Sequence, residues 1–415
     1  MRKFTAVLCL FLILFSPLRT FAEDDPEILR YDAMAAQTEI PVDILSVMAG
    51  RDSFVSNPAG PENFDIPCRN AILVEENTGR VLYEKDSEKQ VPMASITKIM
   101  TLILVMEAIE SGKITYNDIV PVSKHAFETG GSQIWLEPGE QLTVDEMIKA
   151  VTVSSANDAA VALAEFVGGS EEAFCRLMND KAKALGMENT HFVNACGLDA
   201  DGHYSSATDV SIMARELMKH KDIFKYSGIW LDYLRNGQTQ LVNTNKLLKS
   251  YNGITGLKTG TTSKAGVCIC ATAQRNDLSL VAVVLGANSG TERFAAAKTL
   301  LDFGFQNFET KAFPETADLP VRLPVKFGTE DFVGLECQRP EKLLFAKGAT
   351  SNLTCKVDLP ESISAPVTKG MRIGTLSLYS EGGKIARYDI IATENTDKID
   401  FKKALAILTN KAASM

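Results

Sequence analysis

A segment that is apolar on almost every side lies in the first third of the sequence. It covers residues 95–111, SITKIMTLILVMEAIES, and Gly112 follows it, as is typical of a helix end. A helix that is hydrophobic all round has no face suited to water, so it must be buried among other elements. Lys98 is the only charged side chain between Ser95 and Glu107. Any fold of this chain must therefore enclose one helix and bury a lysine with it.

Strand patterns stand at both ends of the region around this segment, and helix patterns fill its middle. A hairpin is predicted from strands at 71–75 and 81–84, with its turn at 77–79. Helices are predicted at 95–111, 143–152, 157–167, 170–185, 207–219 and 291–303. Three successive strands are predicted at 254–259, 266–274 and 278–287. This order indicates an α+β domain whose first and last strands share one sheet.

The pattern changes after residue 313. Prolines at 314, 320 and 324 mark a linker, and short alternating strands with Gly and Pro turns follow it. The clearest of these strands are at 353–357, 374–379 and 386–391. We therefore predict an α+β domain over 68–313 and a small all-β domain over 314–393. The tail, 394–415, has the pattern of an amphipathic helix.

The first residues have the features of an export signal. Arg2 and Lys3 precede a short apolar run, and Thr20 and Ala22 suit a cleavage site, which predicts a signal peptide over 1–22. A retained membrane anchor is the alternative. Residues 23–67 are predicted to be a leader, acidic at first and then rich in Pro, Gly, Ser and Asn.

The charge of the mature chain narrows the class of partner. Loss of residues 1–22 removes three basic residues and no acidic one, so the formal net charge changes from −9 to −12. This argues against a nucleic-acid partner. Seven Cys then remain, an odd number that does not suggest a disulfide framework. Cys268 and Cys270 are predicted to be buried thiols, whereas the state of Cys337 and Cys355 stays open. Nothing in the sequence calls for a metal or another cofactor.

Ser95 and Lys98 form the first candidate for chemistry. They are three residues apart at the start of a helix and therefore share a face. Burial disfavours the ammonium form and lowers the pKa of a lysine. A neutral amine beside a hydroxyl is a general base for a serine nucleophile. The alternative is a capping serine followed by a lysine that reaches out to water.

Ser155 and Asn157 form the second candidate, in the sequence Ser-Ala-Asn between two predicted helices. A hydroxyl and an amide there could pass a proton and hold a substrate amide, or they could simply cap the next helix. Ser250-Tyr251-Asn252 has the same spacing and competes for this role. We favour Ser155, because Ser250 stands only eight residues before the third candidate.

Lys258, Thr259, Gly260 and Thr261 form that third candidate, on a strand that reads GLKTGTT. Gly260 would let a substrate backbone pair along the strand. The amine of Lys258 and the hydroxyls of Thr259 and Thr261 could bind a carboxylate of the substrate. The alternative is an exposed strand lysine before a turn.

Together these motifs, in this order, resemble the signature of the penicillin-recognising serine enzymes. The chain is similar to the low-molecular-mass penicillin-binding proteins of the serine-type D-alanyl-D-alanine carboxypeptidase family over about residues 68–393. The stretches that carry the resemblance are PMASITKIMT, SSANDAA, NACGLDADGHYSSATDV, GLKTGTTSKAG and LLDFGFQNFET. The resemblance implies a β-lactamase/transpeptidase-like catalytic domain, an antiparallel sheet with a helical cluster, followed by the β domain.

The resemblance also implies roles for the residues. Ser95 would attack the bond between two D-alanines of a peptidoglycan stem peptide, with Lys98 as base and with Ser155 and Asn157 assisting. Lys258, Thr259, Gly260 and Thr261 would bind the substrate, and the N–H groups of Ser95 and Thr261 would form the oxyanion hole. Arg293 stands where related enzymes carry an arginine near the carboxylate pocket, and a helix-surface arginine is the alternative. Many relatives have His where this chain has Thr261, so the pH dependence could differ.

The resemblance further implies partners and a location. β-Lactam antibiotics would inhibit the enzyme covalently, and the protein would act outside the cytoplasm, in the cell wall or periplasmic space. In this family a C-terminal amphipathic helix often rests on the outer face of the membrane, while a helix that caps the β domain is the other interpretation of 394–415.

Other functions fit less well. A class A β-lactamase needs a Glu-x-x-Leu-Asn stretch that is not found between Ser155 and Lys258. A Ser-His-Asp hydrolase is disfavoured by the low number of histidines and by the lack of Gly-x-Ser-x-Gly. An endopeptidase acting on cross-links and a non-catalytic penicillin sensor are the two remaining alternatives.

Overall fold

The computed structural model describes residues 65–315, 319–348, 352–380, 383–400 and 403. The predicted signal peptide, almost all of the leader and most of the tail helix lie outside these residues. Within the described part of the chain, no helix has the length and apolar character needed to cross a membrane.

The first domain is built on a five-stranded antiparallel sheet. In chain order its strands are β1 (Asn70–Glu75), β2 (Val81–Lys85), β7 (Ile254–Thr262), β8 (Gly266–Arg275) and β9 (Leu278–Ala287). Their order across the sheet is β2-β1-β9-β8-β7. Strand β1 pairs with β9, so the beginning and end of the domain meet in one sheet and the predicted α+β class is confirmed.

Both faces of this sheet are covered, because alternate residues of a strand point to opposite sides. Ile72, Val74 and Cys270 face a cluster of helices. Leu73 and Ala271 face the opposite way, where the long helix α8 (Gly290–Asn307) packs on them. Burial on both sides explains why β9 is a continuous apolar run.

The helical cluster is formed by the part of the chain that connects β2 to β7. Its helices are α1 (Lys98–Glu110), α2 (Lys124–Phe127), α3 (Val144–Val153), α4 (Asn157–Gly168), α5 (Glu171–Ala184), α6 (Ala207–Lys219) and α7 (Phe224–Ser227). Helix α1 is buried along nearly its whole length, as its composition predicts. It begins later than predicted, since Ala94–Thr97 form a 3-10 turn in front of it.

Two short ribbons were not predicted from the sequence. They pair β3 (Ile119–Pro121) with β4 (Gln141–Thr143), and β5 (Leu231–Leu234) with β6 (Thr239–Val242). Strands of three or four residues are too short to show a clear alternation of apolar and polar residues.

The second domain contains only strands among its described residues. They are β10 (Phe308–Ala312), β11 (Arg322–Lys326), β12 (Phe332–Cys337), β13 (Lys342–Ala346), β14 (Thr354–Asp358), β15 (Ile363–Ser364), β16 (Arg372–Ser380) and β17 (Gly383–Ala392). Six form a sheet in the order β14-β16-β17-β12-β11-β15, and β10 pairs separately with β13. Strand β10 thus joins this domain before Pro314, where the sequence suggested the linker. Cys337 and Cys355 are free thiols.

Candidate active site

Ser95 lies in the tight turn that precedes α1. Ala94 has a φ of +52°, and the Thr97 hydroxyl donates to the Ala94 carbonyl at 2.9 Å, which holds the turn closed. Gly197 packs so closely against this carbonyl that a Cβ there would overlap it. The turn that carries Ser95 is therefore held by the Thr97 side chain and by the backbone at Gly197.

Lys98 is fully buried, one turn from Ser95. Its Nζ lies 3.0 Å from Ser95 Oγ, 2.6 Å from Asn157 Oδ1 and 2.6 Å from the Cys196 carbonyl oxygen. Desolvation lowers the pKa of Lys98 to about 8, against a smaller opposing effect of nearby acidic groups. A neutral amine has two N–H donors for the two carbonyl oxygens and one lone pair for the Ser95 hydroxyl.

Ser155 and Asn157 lie in the break between α3 and α4, as predicted. The helix-capping alternative is wrong, because Ala156 is the N-cap of α4 and no side chain caps it. Ser155 has a φ of +63° and its Oγ accepts from Lys258 Nζ at 2.8 Å. Asn157 spans the site, with its Oδ1 on Lys98 and its Nδ2 donating to the Gly130 carbonyl at 2.6 Å.

Lys258 is also buried, on β7 at the edge of the sheet. Desolvation, together with the charges of Lys98 and Arg293, lowers its pKa well below the usual value. The alternative interpretation of Lys258, an exposed strand lysine before a turn, is therefore wrong. Thr259 donates to the Thr244 hydroxyl at 2.7 Å.

Gly260 brings strand β7 against the nucleophile turn. A Cβ on this residue would lie 2.8 Å from the Ser95 nitrogen, so only glycine fits without a shift. The close approach sets Thr261 beside the turn that carries Ser95. This neighbourhood contains the two N–H groups predicted to form the oxyanion hole.

Arg293, on α8, reaches the end of β7. Its Nη1 donates to the Gly260 carbonyl at 3.2 Å and to the Cys268 carbonyl at 3.1 Å, and it lies 3.4 Å from Thr261 Oγ1. The guanidinium is half-buried beside the third motif rather than on an open helix surface. Lys98 and Lys258 thus place two buried amines beside Ser95 and Ser155, and Arg293 lies at the Gly260–Thr261 end of β7.

The competing Ser-Tyr-Asn motif does not join this network. Ser250 donates to the Lys246 carbonyl at 3.3 Å, and the Tyr251 hydroxyl donates to Asp302 at 2.8 Å. Tyr251 also stacks with Arg275. The motif therefore packs the segment before β7 against α8 and the end of β8 instead of joining the catalytic network.

Several supporting residues were missed by the motif search. Buried Asp158 accepts the N–H groups of Ile134 and Leu136, and so ties the loop that carries Gly130 to α4. The signal for it was a carboxylate next to the apolar run Ala159–Ala164, by the reasoning that singled out Lys98. The Cys196 carbonyl could not be found in this way. Every residue has a backbone carbonyl, so the sequence does not show which one accepts a hydrogen bond.

Family comparison gives the site its context. Residues 55–289 match the family model of D-alanyl-D-alanine carboxypeptidase, and residues 308–398 match the penicillin-binding protein 5 C-terminal domain. The chain belongs to the D-alanyl-D-alanine carboxypeptidase family. The predicted family, fold class and serine carboxypeptidase activity of this enzyme are thereby confirmed.

Individual relatives agree with this assignment. The D-alanyl-D-alanine carboxypeptidase DacF of Bacillus subtilis is 44% identical over 338 residues, which are 80% of this chain and 87% of the relative. Penicillin-binding protein 5 of Haemophilus influenzae superimposes with a TM-score of 0.72 at 29% identity, over 82% of this chain and all of that one. Penicillin-binding protein D2 of Listeria monocytogenes, solved in its ampicillin-bound form, matches 59% of this chain and 99% of its own at 31% identity, with a TM-score of 0.54.

His203 supports the nucleophile turn of this carboxypeptidase from behind. Its Nδ1 accepts from the Val193 N–H at 3.1 Å, so its Nε2 carries the proton and donates to Thr97 Oγ1 at 2.7 Å. Desolvation lowers the pKa of this buried histidine to about 4. Protonation would break the bond to Val193.

We expect His203 to make the enzyme sensitive to acid. An unfolded histidine titrates near 6.5, so the stabilisation is complete above that pH and is lost as the pH falls toward 4. Between pH 7.5 and 5 this costs about 2 kcal/mol of the free energy of unfolding. Urea unfolding at both pH values should show a smaller loss for His203→Gln than for wild type, while the exposed His191→Gln behaves like wild type. Equal losses in all three proteins would contradict this role.

Proposed function

We propose that Ser95 is the nucleophile that removes the terminal D-alanine from peptidoglycan stem peptides ending in D-Ala-D-Ala. The observation that carries the proposal is the 3.0 Å contact between Ser95 Oγ and the buried amine of Lys98. With a pKa lowered to about 8, a useful fraction of Lys98 is neutral near pH 7 and can accept the hydroxyl proton.

Acylation follows from this pair. Ser95 Oγ attacks the carbonyl carbon of the penultimate D-alanine while its proton passes to Lys98 Nζ. The negative charge that develops on the substrate oxygen is stabilised by the backbone N–H groups of Ser95 and Thr261. Collapse of the tetrahedral intermediate breaks the C–N bond, leaves an ester on Ser95 and releases the amine of the last D-alanine.

The leaving amine needs a proton, and Ser155 is well suited to deliver it. Its hydroxyl accepts from Lys258 at 2.8 Å, and Lys258 is close enough to Lys98 for the two amines to affect each other electrostatically. Ser155 would donate its proton to the departing nitrogen and be reprotonated from the neighbouring lysines. Asn157 holds Lys98 in position through its Oδ1 and is itself held by the bond from its Nδ2 to Gly130.

Lys258, Thr259 and Arg293 suit the terminal carboxylate of the substrate. The guanidinium of Arg293 stays positively charged, and the amine of Lys258 can donate hydrogen bonds to the carboxylate whether or not it is protonated. The free edge of β7 can pair with the extended peptide backbone, as other sheet edges do with peptides. The substrate class is therefore a peptide with a free C-terminal carboxylate.

Water completes the cycle by hydrolysing the ester, which frees the shortened peptide and returns the proton to Ser95. A β-lactam would follow the same first step. Attack of Ser95 opens the lactam ring, and because the amine stays attached to the acyl group, it continues to block the site. This accounts for covalent inhibition by penicillins.

A direct assay tests this proposal. Wild-type residues 23–415 should release D-alanine from a peptide ending in D-Ala-D-Ala and should form a benzylpenicillin adduct on Ser95, seen by mass spectrometry. Ser95→Ala should do neither, whereas Ser250→Ala, in the competing motif, should do both. An adduct on another residue, or D-alanine release by Ser95→Ala, would overturn the assignment. An adduct without D-alanine release would favour the endopeptidase or sensor alternatives.

The rate of acylation should depend on pH through Lys98. Because deprotonation creates the base, the second-order rate constant for benzylpenicillin should rise with pH and level off above about 8. Lys98→Arg cannot lose its proton at these pH values and should acylate about 10²–10⁴-fold more slowly. Stopped-flow measurements from pH 6 to 10 check both statements. A wild-type rate that is flat over this range would contradict the role of Lys98 as base.

We also propose that the protein is exported and that its tail, 394–415, rests on the outer face of the membrane. The last described residues lie beside an exposed apolar side chain, since the Ile399 N–H donates to the carbonyl of Phe327, which is 69% exposed. The tail that continues from there carries an apolar stripe and three lysines, Lys402, Lys403 and Lys411. A lipid surface would cover both.

Vesicle binding tests this location. Residues 23–415 should co-sediment with phosphatidylglycerol vesicles, and a chain ending at 396 should not, while both still bind benzylpenicillin. Substitution of Phe327 by Ser should weaken vesicle binding as well. Equal sedimentation of the full and shortened chains would refute a membrane role for the tail.

A further inference from the structure

A second cluster of ligand-type side chains lies at the opposite end of α1 from Ser95. Glu107 is in the last turn of α1, and Glu216 and His220 are four residues apart at the end of α6, which packs on α1. One carboxylate oxygen from each glutamate and one ring nitrogen of His220 all lie within 4.8 Å of one another. The two helices thus bring three potential metal ligands together.

His220 has the hydrogen-bonding pattern expected of a metal ligand. The residue is buried, with an exposed fraction of 8%. Its Nδ1 lies 2.8 Å from Glu110 Oε1, and because a carboxylate can only accept, Nδ1 carries the proton. Within the described chain, its Nε2 is buried and has no hydrogen-bond partner. A carboxylate on one ring nitrogen with the other left free is the usual arrangement around metal-bound histidines.

A cation already occupies this cluster. Lys181 Nζ lies 2.5 Å from Glu107 Oε1 and 2.8 Å from Glu216 Oε1, and Lys219 pairs with the other Glu216 oxygen. When Glu110 is included, the cluster contains three carboxylates and two ammonium groups. With His220 neutral, its net charge is therefore one negative unit. A divalent ion in place of the Lys181 ammonium would balance the charge.

We propose that Glu107, Glu216 and His220 form a zinc site in which Zn²⁺ exchanges with the ammonium of Lys181. One imidazole nitrogen and two carboxylate oxygens are ligands that zinc accepts, and water would fill the fourth tetrahedral position. Ligand atoms around zinc stand about 3.4 Å apart, so small side-chain rotations suffice once Lys181 leaves. Mg²⁺ and Ca²⁺ prefer oxygen ligands and would bind more weakly.

The site would stabilise the helical cluster rather than take part in the reaction. Glu107 is nine residues along α1 from Lys98, about 14 Å at the helical rise. Bound zinc would join the end of α1 to the end of α6. It should therefore raise the melting temperature and leave the rate of penicillin acylation unchanged.

Zinc titration against a chromophoric chelator tests the proposal on residues 23–415. We expect one zinc per chain, at least tenfold weaker binding in His220→Gln and at least tenfold tighter binding in Lys181→Met, which removes the competing cation. His125→Gln is the matched control, because His125 also pairs with a glutamate, Glu171, but lies exposed and away from the cluster. It should bind zinc as wild type does.

Two further measurements keep the result decisive. Cobalt substitution should give a spectrum without a thiolate charge-transfer band, since none of the free cysteines belongs to the site. If His220→Gln does not fold, judged by circular dichroism, Glu107→Gln replaces it. Equal zinc affinity in wild type and these variants, a thiolate band, or no gain in Lys181→Met would each overturn the proposal.

Discussion

The burial of Lys98 is the interaction on which the site depends. An amine enclosed by the helical cluster is costly as an ammonium, and it is tolerated because Asn157 and the Cys196 carbonyl each accept from it at 2.6 Å. Those acceptors come from two separate segments, which the fold must hold against α1. The same enclosure lowers the pKa of Lys98 and directs its remaining contact to Ser95. The burial of Lys98 therefore accounts both for the packing of two segments against α1 and for the basicity of the amine beside Ser95.

The rest of the domain can be understood as support for this arrangement. Gly197 and Gly260 let two backbones press on the turn that carries Ser95. His203 and Asp158 hold the turn and the neighbouring loop through buried hydrogen bonds. These contacts hold the turn and the loop in place, and a serine nucleophile needs that because its base acts only at hydrogen-bond distance.

Much of this organisation was predictable from the sequence. Lys98 was found because it is the only charged side chain between Ser95 and Glu107, and β1, β9 and most helices were found from periodicity. The Cys196 carbonyl, the contact of Asn157 with Gly130 and the 3-10 turn at Ser95 could not be found this way. They depend on backbone atoms and on segments about 30 to 100 residues apart, which carry no local pattern. The roles of the site residues remain predictions until they are tested.

The most direct test of this account is the protonation state of Lys98 itself. Nitrogen-15 NMR of lysine-labelled enzyme without inhibitor, assigned by comparison with Lys98→Met, would follow its side-chain nitrogen from pH 6 to 11. We expect the Lys98 amine to titrate with a midpoint near 8, well below that of a lysine in water. A side chain that stays protonated past pH 10 would contradict it, because Ser95 would then have no neutral base beside it.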